Sequence, residues 1–559
     1  MNDTRRFVAR TTLLFAALTV VMTFPQVLHL SDGVADDGDP LLVTWILGWV
    51  AHQLPRAPAH LFDANIFFPE RRTLAFSETL LAPAVAVAPL HWVGVGPILV
   101  YNLVLLLGFV LSGVATAVLV RGLTRRDDAA VVAGIIFAFL PFRVGQYSHL
   151  QLQQTQWIPL TLLAAHALLR TGRVASGVWL GVCLACQALS SVYYGLFLGV
   201  YVVVVCGALL VASGGLTKAR LVALGASVAV ALVLVAPAAI AYAGARAAVG
   251  ERAVAEVMEH SATWRSYLAA PALNLVYGPL LARFARPEQV LFPGFVAVVL
   301  AVAGLKSHAT SDVVAHRGNV VAQDCSPAKA WPYFLGLLLA FDISLGTHGV
   351  TYPLLYRFVL PFRALRAPAR MGVMVGFSLA VLAGFGFARA TERLAARRRA
   401  IAAAIVSTAI LIEFASRPIP LQMIPTEALP AYADLLRDRG DAPDAAIVEY
   451  PMGEHNDPTY MYYSTFHWQP IANGYSGFHP ASYEELMFAF DSFPSDLALD
   501  AVRTRRIRYV LVHGERMIGE RYARLLALLD RRSDLALVSR TPAARQGQHG
   551  EVSLYRVLY

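Results

Sequence analysis

Long apolar runs constrain this chain more than any other feature of its 559-residue sequence. A helix needs about 20 predominantly apolar residues to cross a bilayer, and the first such run is Thr11–Leu30. Ten further runs centre on 97–120, 128–142, 157–170, 175–190, 192–213, 221–243, 291–305, 331–345, 371–390 and 400–416. The pattern predicts a polytopic α-helical membrane bundle of about 11 spans and excludes an ordinary soluble enzyme.

The charged residues divide the chain into two parts. Residues 417–559 contain 33 charged residues in 143, which is typical of a soluble domain, whereas residues 1–416 contain the other 50. Three predicted strands and one helix indicate an α/β fold for the tail. The strands are 446–450, 507–512 and 552–558, and the helix is 521–529. We therefore expect a transmembrane domain over 1–416 and a soluble α/β domain over 417–559.

Basic residues between the apolar runs predict the orientation. One apolar run, 79–93, is short and contains Pro83 and Pro89. If it does not cross, five basic clusters fall on one side, which the positive-inside rule makes cytoplasmic. The clusters are Arg121/Arg125/Arg126, Arg170/Arg173, Lys218/Arg220, Lys306/Arg317/Lys329 and Arg393/Arg397/Arg398/Arg399. These clusters predict a multi-pass protein of the inner (plasma) membrane. Its N-terminus would be cytoplasmic, its first span uncleaved, and its tail periplasmic or extracellular. The predicted outer loops are 31–96, 143–156, 244–290 and 346–370.

Four carboxylates follow the first span closely: Asp32, Asp36, Asp37 and Asp39. Carboxylates at a membrane boundary are costly to desolvate unless solvent or a function holds them. Either they form a solvated loop end, or one of them is a general base at the membrane surface. Their spacing matches no metal-ligand pattern, so we predict no cofactor, and a divalent cation has no support. Further along the loop, Glu78 either packs the loop or lines a substrate site.

Polar and aromatic side chains also stand at the predicted outer ends of later spans. Arg143, His149 and Gln151 lie in a glutamine-rich stretch between two spans, and polar groups at this depth usually face a cavity. A packing role is the alternative, and for a lone histidine it is the commoner one. Tyr194, one of a tyrosine pair between two spans, belongs either to an aromatic belt at the interface or to a site that stacks on a sugar or headgroup.

An arginine-rich segment precedes a late span on the predicted outer side. Arg357, Arg363, Arg366 and Arg370 stand where the positive-inside rule disfavours arginine. Arginine forks bind phosphate bidentately, so we interpret the segment as a lipid-phosphate or pyrophosphate site. Contact with anionic headgroups without specificity is the alternative.

Several short motifs resemble one class of membrane enzyme. They are Gly38-Asp39 after the first span, Phe362-Arg363-x-x-Arg366-x-Pro368-x-Arg370 before a late span, and Asn473-Gly474-Tyr475 in the tail. With the multispan bundle, this arrangement resembles the GT-C class of membrane glycosyltransferases, and most closely the YfhO-like bacterial family. The resemblance implies a polyprenyl-phosphate sugar donor, a saccharide or cell-envelope acceptor, and transfer on the outer face of the membrane.

The resemblance also implies roles for single residues. By position, Asp39 is the catalytic base, with Asp37 and Asp36 open as alternatives from a paired-acid form of the motif. The base takes the proton of the acceptor hydroxyl, while arginines of the outer segment stabilise the departing phosphate. Arg143 is a second candidate for that cation.

Two other classes of protein fit parts of the same pattern. A transporter or flippase of a lipid-linked saccharide also needs a polar cavity, but it favours charges at mid-span and inverted repeats. Here the spans are nearly free of charge, with Asp342 and Glu413 near span ends as the exceptions. A non-catalytic assembly protein whose tail binds envelope polysaccharide is the second alternative. Nucleic-acid binding is not suggested, because basic loops at a membrane account for the net charge of +9.

Overall fold

Within the part of the chain that the structure describes, five helical stretches are long and apolar enough to cross a membrane. In the computed structural model, which describes residues 2–311, 330–440, 445–545 and 548–559, they are Pro97–Thr124, Asp127–Gly145, Val192–Ala212, Lys218–Arg246 and Pro368–Ala390. Shorter apolar helices are Leu81–Trp92, Val174–Ser190, Phe295–Leu305 and Trp331–Ser344. The predicted helical membrane bundle is confirmed, whereas the number of spans and the orientation stay predictions. Of the basic clusters, Arg317 and Lys329 lie outside the described residues.

Further helices complete the part of the chain before the tail. They are Asn2–Met22, Asp39–Gln53, Leu150–Gln153, Trp157–Thr171, Val254–Glu259, Gly278–Leu281, Thr351–Phe358 and Ala396–Phe414. Three apolar helices have the full bounds Lys218–Val249, Phe295–Ser311 and Gly372–Ala390. The stretch Asp127–Gly145 consists of Asp127–Ala138 and Pro141–Gly145.

The first apolar run ends its helix earlier than its sequence predicts. The helix is Asn2–Met22, and a 3-10 turn follows at Gln26–His29, whereas the predicted span continues to Leu30. Proline lacks a backbone N–H and disfavours the helical conformation in the residue before it. Because Pro25 lies at this point, the helix stops short of it.

Contacts divide the chain into two compact units. The first consists of Met1–Leu28, Val104–Pro237 and Glu251–Ile419, and the second of His29–Leu103, Ala238–Gly250 and Pro420–Tyr559. The second unit therefore combines the tail with the predicted first outer loop. No pattern in the sequence predicts this grouping, because apolar runs reveal spans and not the partners of the loops between them.

The helix Gly372–Ala390 forms the centre of the first unit, and its side chains are buried along almost the whole length. It packs against the helix Phe295–Ser311. A Cβ atom on Gly386 would lie 1.9 Å from the Leu300 carbonyl oxygen. Glycine at this crossing lets the two backbones approach closely, as small residues do in membrane bundles.

The two acidic residues near predicted span ends cap helices of the first unit. Asp342 accepts hydrogen bonds of 2.7 and 3.0 Å from backbone N–H groups at the start of Thr351–Phe358. Glu413 accepts hydrogen bonds of 2.6 and 3.2 Å from backbone N–H groups at the start of Phe295–Ser311. The first N–H groups of a helix lack partners within the helix. Both acids therefore have a structural explanation that requires no transport pathway.

The predicted strands of the tail are confirmed within a mixed sheet. The strands of the described chain are β1 Gly33–Val34, β2 Gln422–Met423, β3 Ile447–Tyr450, β4 Tyr509–His513, β5 Leu535–Arg545 and β6 Gln548–Val557. The larger sheet has the order β3-β4-β6-β5, with β3 parallel to β4 and the other pairs antiparallel. The sequence analysis missed β5, because Pro542 and a bulge between Leu537 and Ser539 interrupt its alternating pattern.

Helices cover this sheet within the second unit. They are Pro430–Asp438, Asp457–Ser464, Ala481–Phe490, Asp496–Thr504 and the predicted Arg521–Leu529. Their apolar side chains share a buried core with the strands, including Val448, Leu499, Val510 and Leu529. This core gives the tail its own hydrophobic centre.

Backbone hydrogen bonds tie the first loop to the tail inside the second unit. β1 pairs antiparallel with β2. The backbone N–H groups of Phe67 and Phe68 donate to the carbonyl oxygens of Asn473 and Ile471, both at 3.0 Å. This pairing holds the acidic start of the first loop beside the Asn473-Gly474-Tyr475 motif.

Candidate functional site

Asp39 begins the helix Asp39–Gln53, directly after the acidic turn at the start of the first loop. The Gly38 backbone N–H donates to Asp36 Oδ1 at 2.9 Å, and Pro40 occupies the first turn, where proline is favoured. The Tyr475 hydroxyl donates to Asp39 Oδ1 at 3.0 Å. Asp39 therefore accepts a hydrogen bond from a side chain that lies 436 residues away in the chain.

The loop that carries Tyr475 is fixed by buried polar contacts. The Asn473 side-chain amide donates to Asp457 Oδ1 and to the Glu449 carbonyl oxygen, both at 2.9 Å. Its Oδ1 accepts the Glu449 backbone N–H at 2.7 Å. A Cβ atom on Gly474 would lie 2.5 Å from the Phe67 ring, so this position requires glycine. The sequence motif contains Tyr475, but no local pattern pairs this residue with the first loop, so its place in the site is not predictable from the sequence.

The buried carboxyl of Asp457 predicts a pH-dependent stability. Burial raises the pKa of Asp457 to about 7, against hydrogen bonds from Tyr483, Asn473 and two backbone N–H groups, which favour the charge. The ordinary value is 3.8, so the folded protein binds this proton more tightly than the unfolded chain. The resulting stabilisation is complete below the ordinary value and is lost as the pH rises through about 7.

We expect Asp457→Asn to weaken this pH dependence. The thermal midpoint of the full-length protein in detergent, followed by intrinsic fluorescence, should fall between about pH 4 and pH 7 in the natural sequence and less so in the variant. The exposed Asp500→Asn should keep the natural slope and serves as the control. Equal slopes in the natural sequence and in Asp457→Asn would contradict the assignment.

Two further predicted residues lie in the second unit. Asp37 is half-buried in the acidic turn. Glu78 is half-buried beside Tyr242, whose hydroxyl donates to the Ser77 carbonyl oxygen at 2.8 Å and whose phenol interacts electrostatically with the carboxylate. The role of Asp37 as an alternative base and the role of Glu78 in binding substrate both stay predictions.

Arg370 forms a buried ion pair with Glu288 in the first unit. Their side chains are only 4% and 8% exposed, and Arg370 Nε donates to Glu288 Oε2 at 2.9 Å while the guanidinium also contacts Oε1. The guanidinium lies 4.5 Å from the ring centroid of Tyr193. Gln146 Nε2 donates to Glu288 Oε2 at 3.2 Å. The geometry is that of a bidentate arginine–carboxylate pair, and this pair fixes the arginine-rich segment that contains Arg370.

Three residues of the predicted site favour the charged form of Glu288. Burial opposes that charge, but Arg370, followed by His149 and Arg366, lowers the pKa of Glu288 to about 2. Three of the predicted site residues are thus brought together around one carboxylate. Sequence analysis missed Glu288, which lies in the 244–290 loop with no motif around it.

Arg366 has weaker partners than Arg370. It is half-buried, and its guanidinium lies 4.0 Å from Glu256 Oε1, while its backbone N–H donates to the Tyr193 hydroxyl at 2.9 Å. Arg252, which the sequence analysis also missed, lies 3.1 Å from the same Glu256 oxygen. Two arginines therefore share one carboxylate, which leaves this cluster with an excess of positive charge.

Arg363 belongs to the same unit but has other contacts. Its side chain donates to the carbonyl oxygens of Tyr356 at 3.3 Å and Arg357 at 3.2 Å, and it lies 3.8 Å from Glu251. The four predicted arginines thus differ: Arg370 is held in a buried ion pair, Arg363 and Arg366 are half-buried, and Arg357 is exposed.

Arg143 is fully buried, and its guanidinium is surrounded by partners from its own unit. It donates to the Ala138 and Gln153 carbonyl oxygens, both at 2.8 Å, and to Gln153 Oε1 at 3.0 Å. It also lies 4.0 Å from the ring centroid of Phe109. These contacts favour the packing role that the sequence analysis gave as the alternative, and substrate binding stays a prediction.

The remaining predicted residues are also placed in the first unit. Tyr194 is buried next to Arg143, and its backbone N–H donates to the Ser191 side chain, which caps the helix Val192–Ala212. Gln151 is half-buried, and within the described residues its Oε1 atom accepts no hydrogen bond. Among those residues, no group of three or more His, Cys, Asp or Glu side chains could hold a metal ion.

The fold is similar to that of a known glycosyltransferase. Arabinofuranosyltransferase AftD from Mycobacteria matches with a TM-score of 0.62 at 14% identity, over 99% of this chain and 40% of that chain. A mutant form of AftD matches with TM-scores of 0.60 and 0.59. The chain is structurally similar to GT-C glycosyltransferases, which confirms that part of the predicted resemblance. It spans about two fifths of the length of AftD.

The other comparisons do not assign this chain to a protein family. The archaeal oligosaccharyltransferase AglB from Archaeoglobus fulgidus matches with a TM-score of 0.46 at 12% identity, over 98% of this chain and 74% of that chain. No protein-family model matches the chain, and no curated protein matches it. The YfhO-like branch of the resemblance therefore stays a prediction.

Proposed function

We propose that this chain is a membrane glycosyltransferase that moves a sugar from a polyprenyl-phosphate donor to a saccharide or other acceptor of the cell envelope. The similarity to AftD over 99% of the chain carries the proposal, because it supports a GT-C fold. We place the reaction on the outer face of the plasma membrane, with the N-terminus in the cytoplasm. The membrane part, proposed as 1–416, and the tail, proposed as 417–559, both belong to that enzyme.

In the proposed reaction, Asp39 acts as the general base. Its carboxylate takes the proton of the acceptor hydroxyl as that oxygen forms a bond to the anomeric carbon of the sugar. The bond between this carbon and the phosphate oxygen breaks, and polyprenyl phosphate leaves with the electron pair. Asp39 belongs to the second unit and the arginine cluster to the first, so each role is proposed and tested separately.

The proposed ligand for the donor phosphate is Arg366, supported by Arg252. The two guanidinium groups share Glu256, and Arg366 lies at 4.0 Å from that carboxylate, so a phosphate can compete for it. Arg370 instead is held by Glu288 at 2.9 Å and positions the segment. Arg363, whose donors reach backbone carbonyl oxygens, has a smaller proposed share in binding.

We expect Arg366→Gln to raise the donor KM or lower turnover by about tenfold or more, because a hydrogen bond to a charged group contributes roughly 1.5–3 kcal/mol. Arg366→Lys should restore only part of the loss, because lysine lacks the guanidinium fork. Steady-state kinetics with increasing donor concentration measure both effects.

Arg357→Gln is the matched control for this prediction. Arg357 is exposed and lies over the Phe358 ring at 5.2 Å, in the same segment. Its removal should leave donor use unchanged. If Arg366→Gln and Arg252→Gln both use the donor as well as the natural sequence does, the phosphate assignment is wrong.

One experiment distinguishes a glycosyltransferase from a transporter of lipid-linked saccharide. Purified protein in liposomes receives polyprenyl phosphate carrying a labelled pentose or hexose, together with a short saccharide acceptor. The enzyme transfers the label to the water-soluble saccharide, whereas a flippase moves the label across the bilayer while it stays on the lipid. A non-catalytic assembly protein binds saccharide without moving the label. The helix-capping roles of Asp342 and Glu413 favour the first outcome, because they give both acids a structural explanation.

A further inference from the structure

The contact between Tyr475 and Asp39 joins the tail to the first loop at the proposed base. The phenol hydroxyl lies 3.0 Å from Asp39 Oδ1, and both side chains are half-buried. Burial, followed by the adjacent Asp39 carboxylate, raises the pKa of Tyr475 above its usual range. The hydroxyl therefore stays protonated at working pH and acts as a donor to the carboxylate.

Tyr475 is rigidly held from its own side. The preceding Asn473 is bound on both polar atoms, to Asp457 and to the Glu449 backbone. Gly474 lies against the Phe67 ring with no room for a side chain. A donor on a loop fixed in this way is already oriented before substrate binds, which is what a precisely oriented site requires.

Asp39 is held from the opposite side by the start of its helix. The turn before it is closed by the hydrogen bond from the Gly38 N–H to Asp36, and the following residues bond back to the Gly38 carbonyl oxygen. The backbone of Asp39 is thereby fixed. The Asp39 side chain can still rotate about two torsion angles. The hydrogen bond from Tyr475 restricts both of them.

We propose that Tyr475 is a positioning residue for the base: its hydroxyl holds the Asp39 carboxylate in one orientation and stabilises the charged form that accepts a proton. This inference rests on the proposed function. A hydrogen bond to the ionised carboxylate favours that form. Removal of the hydroxyl should therefore leave Asp39 protonated up to a higher pH and less well oriented at any pH.

The test compares Tyr475→Phe with the natural sequence in donor turnover across pH. We expect kcat to fall by roughly 10-fold to 100-fold, the donor KM to stay within about twofold, and the acid limb of the pH–rate profile to move to higher pH. Tyr509→Phe is the matched control. Its hydroxyl donates to Asp438 Oδ2 at 2.8 Å within the same unit, so it removes an equivalent hydrogen bond that does not involve Asp39.

The outcomes separate this inference from the proposed function. If Asp39→Asn is inactive and Tyr475→Phe shows the smaller kcat and the moved acid limb, positioning is supported. If Asp39→Asn is inactive but Tyr475→Phe matches Tyr509→Phe, the inference is wrong and the proposed function stands. A loss of kcat in Tyr475→Phe with an unmoved acid limb and a lower thermal midpoint means a purely structural role, which also overturns the inference. If Asp39→Asn remains active, the proposed base is wrong and the inference is overturned with it.

Discussion

Asp39→Asn is expected to lower sugar transfer by about 10²–10⁴-fold, because a positioned general base contributes roughly that factor. Asparagine keeps the shape of the side chain and can still contact Tyr475, but it cannot accept the proton of the acceptor hydroxyl. Expression, thermal stability and donor binding should persist. Steady-state turnover and an equilibrium donor-binding measurement on the same preparation check both halves of this expectation.

Asp37→Asn is the control for the choice of carboxylate. Asp37 lies in the same turn, two residues before Asp39 and likewise half-buried. It should retain activity within a few fold of the natural sequence. An inactive Asp37→Asn beside an active Asp39→Asn would move the base to Asp37, an alternative that the paired-acid form of the motif includes.

The second large effect concerns stability. We expect Arg370→Ala to destabilise the fold by about 3–5 kcal/mol, because it leaves the Glu288 charge buried without its partner. Glu288 is only 8% exposed, so water cannot replace the lost guanidinium. The thermal midpoint in detergent measures the loss. Arg357→Ala, at an exposed position in the same segment, should leave the midpoint unchanged.

A double variant tests whether the pair or the single charge causes the loss. Arg370→Leu combined with Glu288→Leu removes both charges, and replacement of a buried pair by apolar residues is often close to neutral. The double variant should therefore be more stable than either single variant. If Arg370→Ala alone unfolds no earlier than the natural sequence, Glu288 is not buried as a charged group.

The stabilisation by Glu288 also has a defined pH window. The pKa of about 2 lies below the ordinary value of 4.5. The contribution is therefore fully present above pH 4.5 and is lost as the pH falls through about 2. Arg370→Ala should therefore be less stable than the natural sequence at neutral pH, and the difference between them should shrink in strong acid.

The sequence predicted features that depend on local patterns. Apolar runs located the long helices, and alternating residues located β3, β4 and β6. The proline-rich helix Leu81–Trp92 was likewise recognised as too short for an ordinary span. These patterns succeed because one helix or one strand face repeats its chemistry over neighbouring residues.

Long-range contacts were not predictable from these patterns. Arg143 lies in a polar stretch that the sequence predicts to face a cavity, yet Gln153 and backbone carbonyl oxygens surround its side chain in a buried position. Tyr475 and Asp39 lie 436 residues apart, and only the pairing of the first loop with the tail brings them together. Glu288 and Arg370 likewise meet across separate loops. A single sequence carries no local signal for such contacts.

The most direct measurement of the central claim is donor cleavage by the purified protein. The protein is incubated with polyprenyl-phosphate sugars and a saccharide acceptor, and released polyprenyl phosphate is quantified together with the extended saccharide. We predict both products in equal amounts from the natural sequence and neither from Asp39→Asn. Release of neither product from any donor tested, or equal release from Asp39→Asn, would contradict the claim that this chain is a glycosyltransferase with Asp39 as its base.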